Sequence, residues 1–179
     1  MILVAYATKH GATREIAARI AETLAAAGQE AEAKPVREVR DLDGYKAFVI
    51  GSAAYLGHWL KEGVEFVQQN GAILTRWPVW LFSSGPLGTE ATDAEGRDKR
   101  EAAEPKEIAE LREAVHPREH RVFFGALNPS KLRFRERAIR SLPAGRELLP
   151  EGDFRDWAEI EGFAARIAQD LADVPTRGS

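Results

Sequence analysis

The sequence contains no cysteine and a single methionine in 179 residues. Without cysteine there is no disulfide, no thiolate nucleophile, no iron–sulfur cluster and no thiolate zinc site, so any redox chemistry has to run through a bound cofactor. No apolar run approaches the ~18 residues that cross a bilayer. The opening MILVAYATKHG has neither the basic leader nor the long apolar stretch of a secretory signal. A cytoplasmic protein is therefore the expectation. A net charge of -3 carries no broad basic stripe, which argues against a nucleic-acid partner. No metal site is expected. What remains is 44% hydrophobic and 30% charged residues, the composition of a globular chain long enough for one domain with a proper core.

The apolar runs are short and mostly unbroken: ILVAY at 2–6, AFVIGSA at 47–53, VWLFSS at 79–84 and RVFFGAL at 121–127. Such runs suit strands buried on both faces, which means a parallel sheet. EAEAKPV at 30–36 is weaker and reads as an edge strand. Helical periods lie between them. Ile16, Ile20 and Leu24 form one stripe, with Gly28 as a C-terminal glycine. Leu60, Val64 and Val67 form a second, closed by Gly71; Ile108, Leu111 and Val115 a third, opened by Pro105; and Trp157, Ile160, Phe163, Ile167 and Leu171 the last. VREVRDLDGY holds one short helical turn or none. This alternation predicts an α/β doubly wound five-stranded parallel sheet, order 2-1-3-4-5, with helices on both faces and right-handed crossovers. The domain is expected to span 1–173, with an extra segment at 128–152 and a flexible tail at 174–179.

Ligands of open parallel sheets sit beyond the carboxyl ends of the strands, where strand order reverses. Three loops should meet there: ATKHGAT, GSAAYLGHW and SSGPLG, all rich in glycine, small residues and hydroxyls. The first has the parts of an anion site. Backbone N–H groups of His10 to Thr13 would face outward at a helix start, Thr8 and Thr13 add hydroxyls, Lys9 a charge, and Gly11 lets the backbone come close. The same stretch also reads as an ordinary capped helix start. It is neither GxGxxG nor GxxxxGK[ST].

The run YATKHGAT, Tyr6 to Thr13, resembles the phosphate loop of flavodoxins, Y-x-[ST]-x-[ST]-G-[NAQ]-T, with His10 standing where that pattern has a hydroxyl residue. The resemblance covers nearly the whole chain and implies FMN as cofactor. It assigns the phosphate to Thr8, Lys9, His10, Gly11, Ala12 and Thr13. It assigns the isoalloxazine ring to Ala53, Ala54, Tyr55, Leu56 and Gly57 in one loop, and to Ser83, Ser84, Gly85, Pro86, Leu87 and Gly88 in the other. Tyr55 or Trp59 could stack on the ring. His58 reads as a solvated loop residue, and His116 and His120 as surface residues.

The C-terminal third is similar to the menaquinone-dependent protoporphyrinogen dehydrogenases of the flavodoxin type. Those proteins carry an extra segment after the last strand and an aspartate–tryptophan pair at the last helix, matched here by Asp156 and Trp157. This implies an FMN-dependent oxidoreductase taking electrons from an organic substrate, protoporphyrinogen IX in that branch, and passing them to a quinone or a protein acceptor. The alternatives are a non-enzymatic electron carrier and a flavin-free module on the same fold. In the extra segment Lys131, Arg133, Arg135, Arg137, Arg140 and Arg146 interleave with Leu132, Phe134, Ala138, Ile139 and Leu142. Residues 131–146 thus read as a peripheral membrane contact, a rim for an acidic substrate, or a solvated excursion. The charged stretch 89–105 reads as a lid or a linker.

Overall fold

The computed structural model describes residues 1–88, 92, 96 and 98–173. The tail 174–179 and much of the charged stretch 89–105, read as a lid or a linker, lie outside the described residues.

Five strands pair in parallel: β1 (Ile2–Ala7), β2 (Ala31–Pro35), β3 (Ala47–Tyr55), β5 (Val79–Ser84) and β6 (Glu119–Phe123). Their order is β2-β1-β3-β5-β6, so the chain reverses direction across the sheet beside β1 and β3. Counted without the two-residue strand β4 (His58–Trp59), which folds back antiparallel on β3, this is the expected order 2-1-3-4-5. Every residue of β1 is buried, because helices cover both faces. Its even residues Ile2, Val4 and Tyr6 pack with Ile16, Ile20 and Leu24 of α1 (Ala12–Ala26) and with Ile160, Phe163 and Ile167 of α7 (Trp157–Ala172). Its odd residues Leu3, Ala5 and Ala7 pack with Phe66, Val67 and Leu74 of α2 (Lys61–Leu74) and with Ile108, Leu111 and Val115 of α4 (Ile108–Val115). Burying each such aliphatic or aromatic side chain contributes about 1.5–3 kcal/mol, which is why the two-faced pattern reads so clearly.

Several boundaries differ from expectation. Gly71 does not end α2; the helix runs on to Leu74, and the inward residues are Gly63, Phe66, Val67 and Leu74, with Leu60 and Val64 only partly buried. Pro105 precedes a turn rather than opening α4, which begins at Ile108. VREVRDLDGY contains one 3-10 turn, Val36–Glu38. The strand expected at 121–127 breaks after Phe123, where the Gly85 N–H donates to the Phe123 carbonyl and the Gly125 N–H to that of Pro86. Beyond the break, β7 (Ala126–Leu127) pairs antiparallel with β8 (Gly152–Asp153). That two-stranded ribbon closes the base of the extra segment, which holds α5 (Phe134–Arg140) and α6 (Pro143–Leu148). A short helix α3 (Lys99–Ala102) lies before α4.

Candidate functional site

The first loop turns from β1 into α1 at Gly11, whose φ of 95° lies in the left-handed region that a Cβ would strain. The Gly11 N–H donates to Thr8 Oγ1 at 3.0 Å, closing the bend. No side chain caps α1, so the first-turn N–H groups at Ala12 and Thr13 keep no partner within the helix and face the strand ends with the positive end of the helix dipole. A Cβ at Gly11 would sit 3.6 Å from Lys131 Nζ and 3.9 Å from the Arg14 guanidinium, so two cations border the bend.

A cavity of about 430 Å³ opens from this bend along the sheet edge. Thr8, Lys9, His10, Ala12 and Thr13 line one end; Ala53, Ala54, Tyr55 and Leu56 one wall; Ser84, Gly85 and Leu87 the other. The two walls approach closely: a Cβ on Gly85 would stand 3.0 Å from that of Ala54. Leu56, at the tip of the β3–β4 hairpin, is 87% exposed and overhangs the opening. Lys9 Nζ lies 3.7 Å from the centre of the Tyr55 ring.

The remaining lining comes from the end of the chain, which the sequence reading had not assigned to the site. Gly125, Ala126 and Leu127, at and just before β7, and Ile139, Leu149 and Pro150 of the extra segment cover the cavity. The segment is fastened by Glu136, only 5% exposed, whose carboxylate lies 2.5 Å from Lys9 Nζ and 3.3 Å from His10 Nε2. Burial alone would raise this acid, but the hydrogen bond from Lys9, the Arg133 N–H and the neighbouring His10 outweigh it and hold Glu136 down at about 2.

Residues 3–143 match the family model described as flavodoxin domain. The chain belongs to the flavodoxin family. The chain is also 26% identical over 181 residues to a protein of Escherichia coli strain K12 named protoporphyrinogen IX dehydrogenase [quinone], covering 97% of each. Among solved structures, an archaeal flavodoxin superposes with a TM-score of 0.59 at 14% identity, covering 96% of this chain and 98% of that one. A flavodoxin of Pseudomonas aeruginosa with one cysteine-to-serine change gives a TM-score of 0.59 at 15% identity, with the same coverage.

The cofactor of this flavodoxin-family chain is FMN, and the site passes an independent test of fit. The helix start offers an anion uncapped N–H groups, and the adjoining cavity has the size and the mostly apolar lining of a small-molecule site. Function of the FMN redox type follows.

Twelve of the seventeen expected cofactor residues line the cavity, and the other five stand behind it. Gly11 shapes the bend. Gly57 turns the hairpin with φ 77°, and its carbonyl accepts from the Lys106 N–H. Pro86 accepts from Gly125, and Gly88 turns the third loop with φ 107°. Ser83 points away from the cavity and accepts a hydrogen bond from Trp59 Nε1 at 2.7 Å. That bond also corrects the stacking role considered for Trp59, which is buried at 4% exposure, on the far side of its strand from Tyr55. His58 is exposed and bonded to Glu107 at 2.6 Å. His116 is exposed at the end of α4. His120 is not a surface residue: its side chain is 1% exposed, with Nε2 2.8 Å from Ser83 Oγ and Nδ1 3.0 Å from Glu104. Its alternating, half-polar strand EHRVF gave no sign of this, because Ser83 and Glu104 reach it from other elements.

Proposed function

We propose that this protein is an FMN-dependent oxidoreductase that takes electrons from an organic substrate of the protoporphyrinogen class and passes them to a quinone-type acceptor. The observation that carries this reading is the closure of the ring end by the extra segment. Ile139, Leu149 and Pro150 face the same cavity as Tyr55 and Leu87, so the space beside the ring is an apolar chamber of a kind suited to a flat, greasy substrate. The 97% coverage shared with the E. coli protein supports the same assignment, because it includes this segment.

In this reading the N–H groups of Ala12 and Thr13 and the hydroxyls of Thr8 and Thr13 hold the phosphate, with Lys131 and Arg14 at its border. Residues 53–56 and 84–87 flank the ring, and Tyr55 supplies an aromatic face worth about 0.5–1.5 kcal/mol beyond its area burial. Bound FMN supplies the two-electron chemistry itself. The chain's own task is to orient the ring, keep water from one face and offer a way in for substrate. Access is provided by the outer surface of the segment, where Phe134 is 87% exposed and Leu142 is also turned outward among Arg133, Arg135 and Arg137. Such a surface rests on an anionic membrane face, where a quinone would be met. In this reading the working protein belongs in the cytoplasm, peripheral to the inner side of the membrane.

The test is anaerobic turnover of protoporphyrinogen IX by the FMN-loaded protein with a soluble menaquinone analogue. Protoporphyrin fluorescence rising with quinone consumption is expected. An FMN-loaded protein that exchanges electrons with a reductase but turns over neither compound would make it a carrier instead.

A further inference from the structure

A chain of hydrogen bonds, buried from Trp59 to His120 and open to solvent at Glu104 and Arg112, runs behind the ring cavity, and its direction is fixed by chemistry. It starts at Trp59, ends at Arg112, and passes through Ser83, His120 and Glu104. Indole Nε1 only donates, so Ser83 Oγ accepts from Trp59. A hydroxyl has one proton, and among the described residues the remaining hydrogen-bond partner of Ser83 Oγ is His120 Nε2 at 2.8 Å; the Ser83 proton therefore points to Nε2. Nε2 must then be the bare nitrogen, and the imidazole proton sits on Nδ1, donating to Glu104 Oε1 at 3.0 Å. Arg112 grips both oxygens of Glu104 at 2.6 and 3.2 Å. Each donor is used once and in one direction. A second proton on His120 would break this order: Ser83 would face two incoming donors and its own hydroxyl proton would have to find another acceptor inside the protein.

Serine, histidine and a carboxylate in this sequence also form the arrangement that activates a nucleophile. Here Ser83 is fully buried and its lone pair is taken by Trp59, so no substrate reaches it. What the chain does touch is the hairpin. Trp59 pairs with Ala54 and His58 with Tyr55, and Ala54, Tyr55 and Leu56 form one wall of the ring cavity.

We propose that His120 is a positioning residue: as its neutral Nδ1–H tautomer, held by Glu104, it locks the ring-flanking hairpin through Ser83 and Trp59 and so couples flavin affinity to pH. The proposal rests on FMN occupying the cavity between the hairpin and the loop 84–87. Burial lowers the affinity of His120 for a proton, against the opposing influence of Glu104, which agrees with the tautomer required by the bonds. Glu104 and Arg112 face the imidazole from the loop before α4 and from α4 itself. Glu119 and Arg121 flank it on β6, and Asp98, Arg100 and Glu101 of the α3 region share the open cavity on its outer side. None of these described neighbours is an imidazole. His10 and His58 belong to the loop and hairpin that meet the cofactor, and both remain when His120 alone is replaced.

The experiment measures FMN dissociation constants from pH 7.5 to pH 5 for the wild type, His120→Gln, Ser83→Ala and, as a control, His58→Gln. Wild-type affinity is expected to weaken as pH falls below the imidazole's titration, by up to about tenfold per pH unit. That weakening is expected to persist in His58→Gln and to vanish in His120→Gln and Ser83→Ala. A profile that is the same in wild type and His120→Gln, or one flattened by His58→Gln alone, overturns the proposal. Nitrogen-15 NMR of the wild-type protein without flavin gives an answer independent of the variants' folding. A protonated Nδ1 and bare Nε2 on His120, with a Trp59 indole resonance that moves as His120 titrates, are expected. The opposite tautomer, or an indole resonance indifferent to that titration, overturns the relay. Failure of FMN uptake at every pH would sink the cofactor reading instead, while the NMR titration still decides the relay.

Discussion

Replacing Glu136 with glutamine should detach the extra segment from the cofactor loop, at a cost that can be worked out. The displacement of the carboxyl from 4.5 to about 2 corresponds to roughly 3 kcal/mol at ~1.36 kcal/mol per pH unit. Lys9 keeps 23% of its side chain exposed, and solvent screening of that partner brings the expected loss to about 2 kcal/mol at pH 7. The sign of the pH dependence follows from linkage. An acid whose folded pKa is depressed contributes stability that is complete above its ordinary value and is lost as pH falls towards its folded one. The gap between wild type and Glu136→Gln should therefore be full at pH 7 and shrink to about three-fifths at pH 3.5. Urea unfolding of the flavin-free proteins at both pH values measures the gap. Amide hydrogen exchange across 126–153 reports whether the loss is local to the segment. A variant as stable as wild type at pH 7, or a gap of equal size at both pH values, would refute the assignment of Glu136 as the fastener.

Thr13→Glu puts a carboxylate at the uncapped start of α1, where the phosphate would lie. FMN affinity in an equilibrium titration should fall by at least about a hundredfold from like-charge repulsion, with far-UV circular dichroism unchanged. Lys9→Ala should leave the ratio of FMN to riboflavin affinity within about threefold of wild type, because Lys9 is committed to Glu136 and the helix start carries the phosphate; a ratio that collapses would return Lys9 to the phosphate site. Serine at Phe134 and Leu142 together should reduce binding to phosphatidylglycerol vesicles by about tenfold or more in a sedimentation assay. Equal binding by wild type and double variant would show that the outer face meets something other than a membrane.

The parts of this protein that the sequence displayed are those set by local pattern. Unbroken apolar runs marked the strands, since residues such as Leu3 and Val4 face helices on opposite sides. The bend at Gly11, the caps at Gly28 and Asp156 and the three strand-end loops are all short-range features. What stayed hidden depends on residues far apart in the chain. Glu136 finds Lys9 and His10 only because the β7–β8 ribbon folds the segment back over the sheet edge. Tyr55 and Trp59 lie four apart in one loop, so local pattern offers both to the ring, and nothing local says that Ser83 draws the Trp59 indole inward. His120 is buried by Glu104 and Ser83, neither of which belongs to its strand.

These long-range contacts divide the work of the site in a way the loops alone do not. A phosphate loop with Lys9 would carry an unpaired positive charge if the extra segment were absent. Glu136 pairs with Lys9, so the anion is met first by fixed backbone dipoles, with Lys131 and Arg14 at the border of the bend. The same carboxylate anchors α5 with Ile139 over the cavity, while Phe134, two residues away, faces outward. One short helix thereby joins three demands: it neutralises the loop, covers the ring and presents an apolar exterior. A chain without the segment would leave the cavity open between the hairpin and the third loop, with the ring edge exposed to solvent and to protein partners. Under the proposed function, closure by Ile139, Leu149 and Pro150 sets aside a chamber for a small apolar molecule, which is the physical ground for proposing an enzyme rather than a carrier.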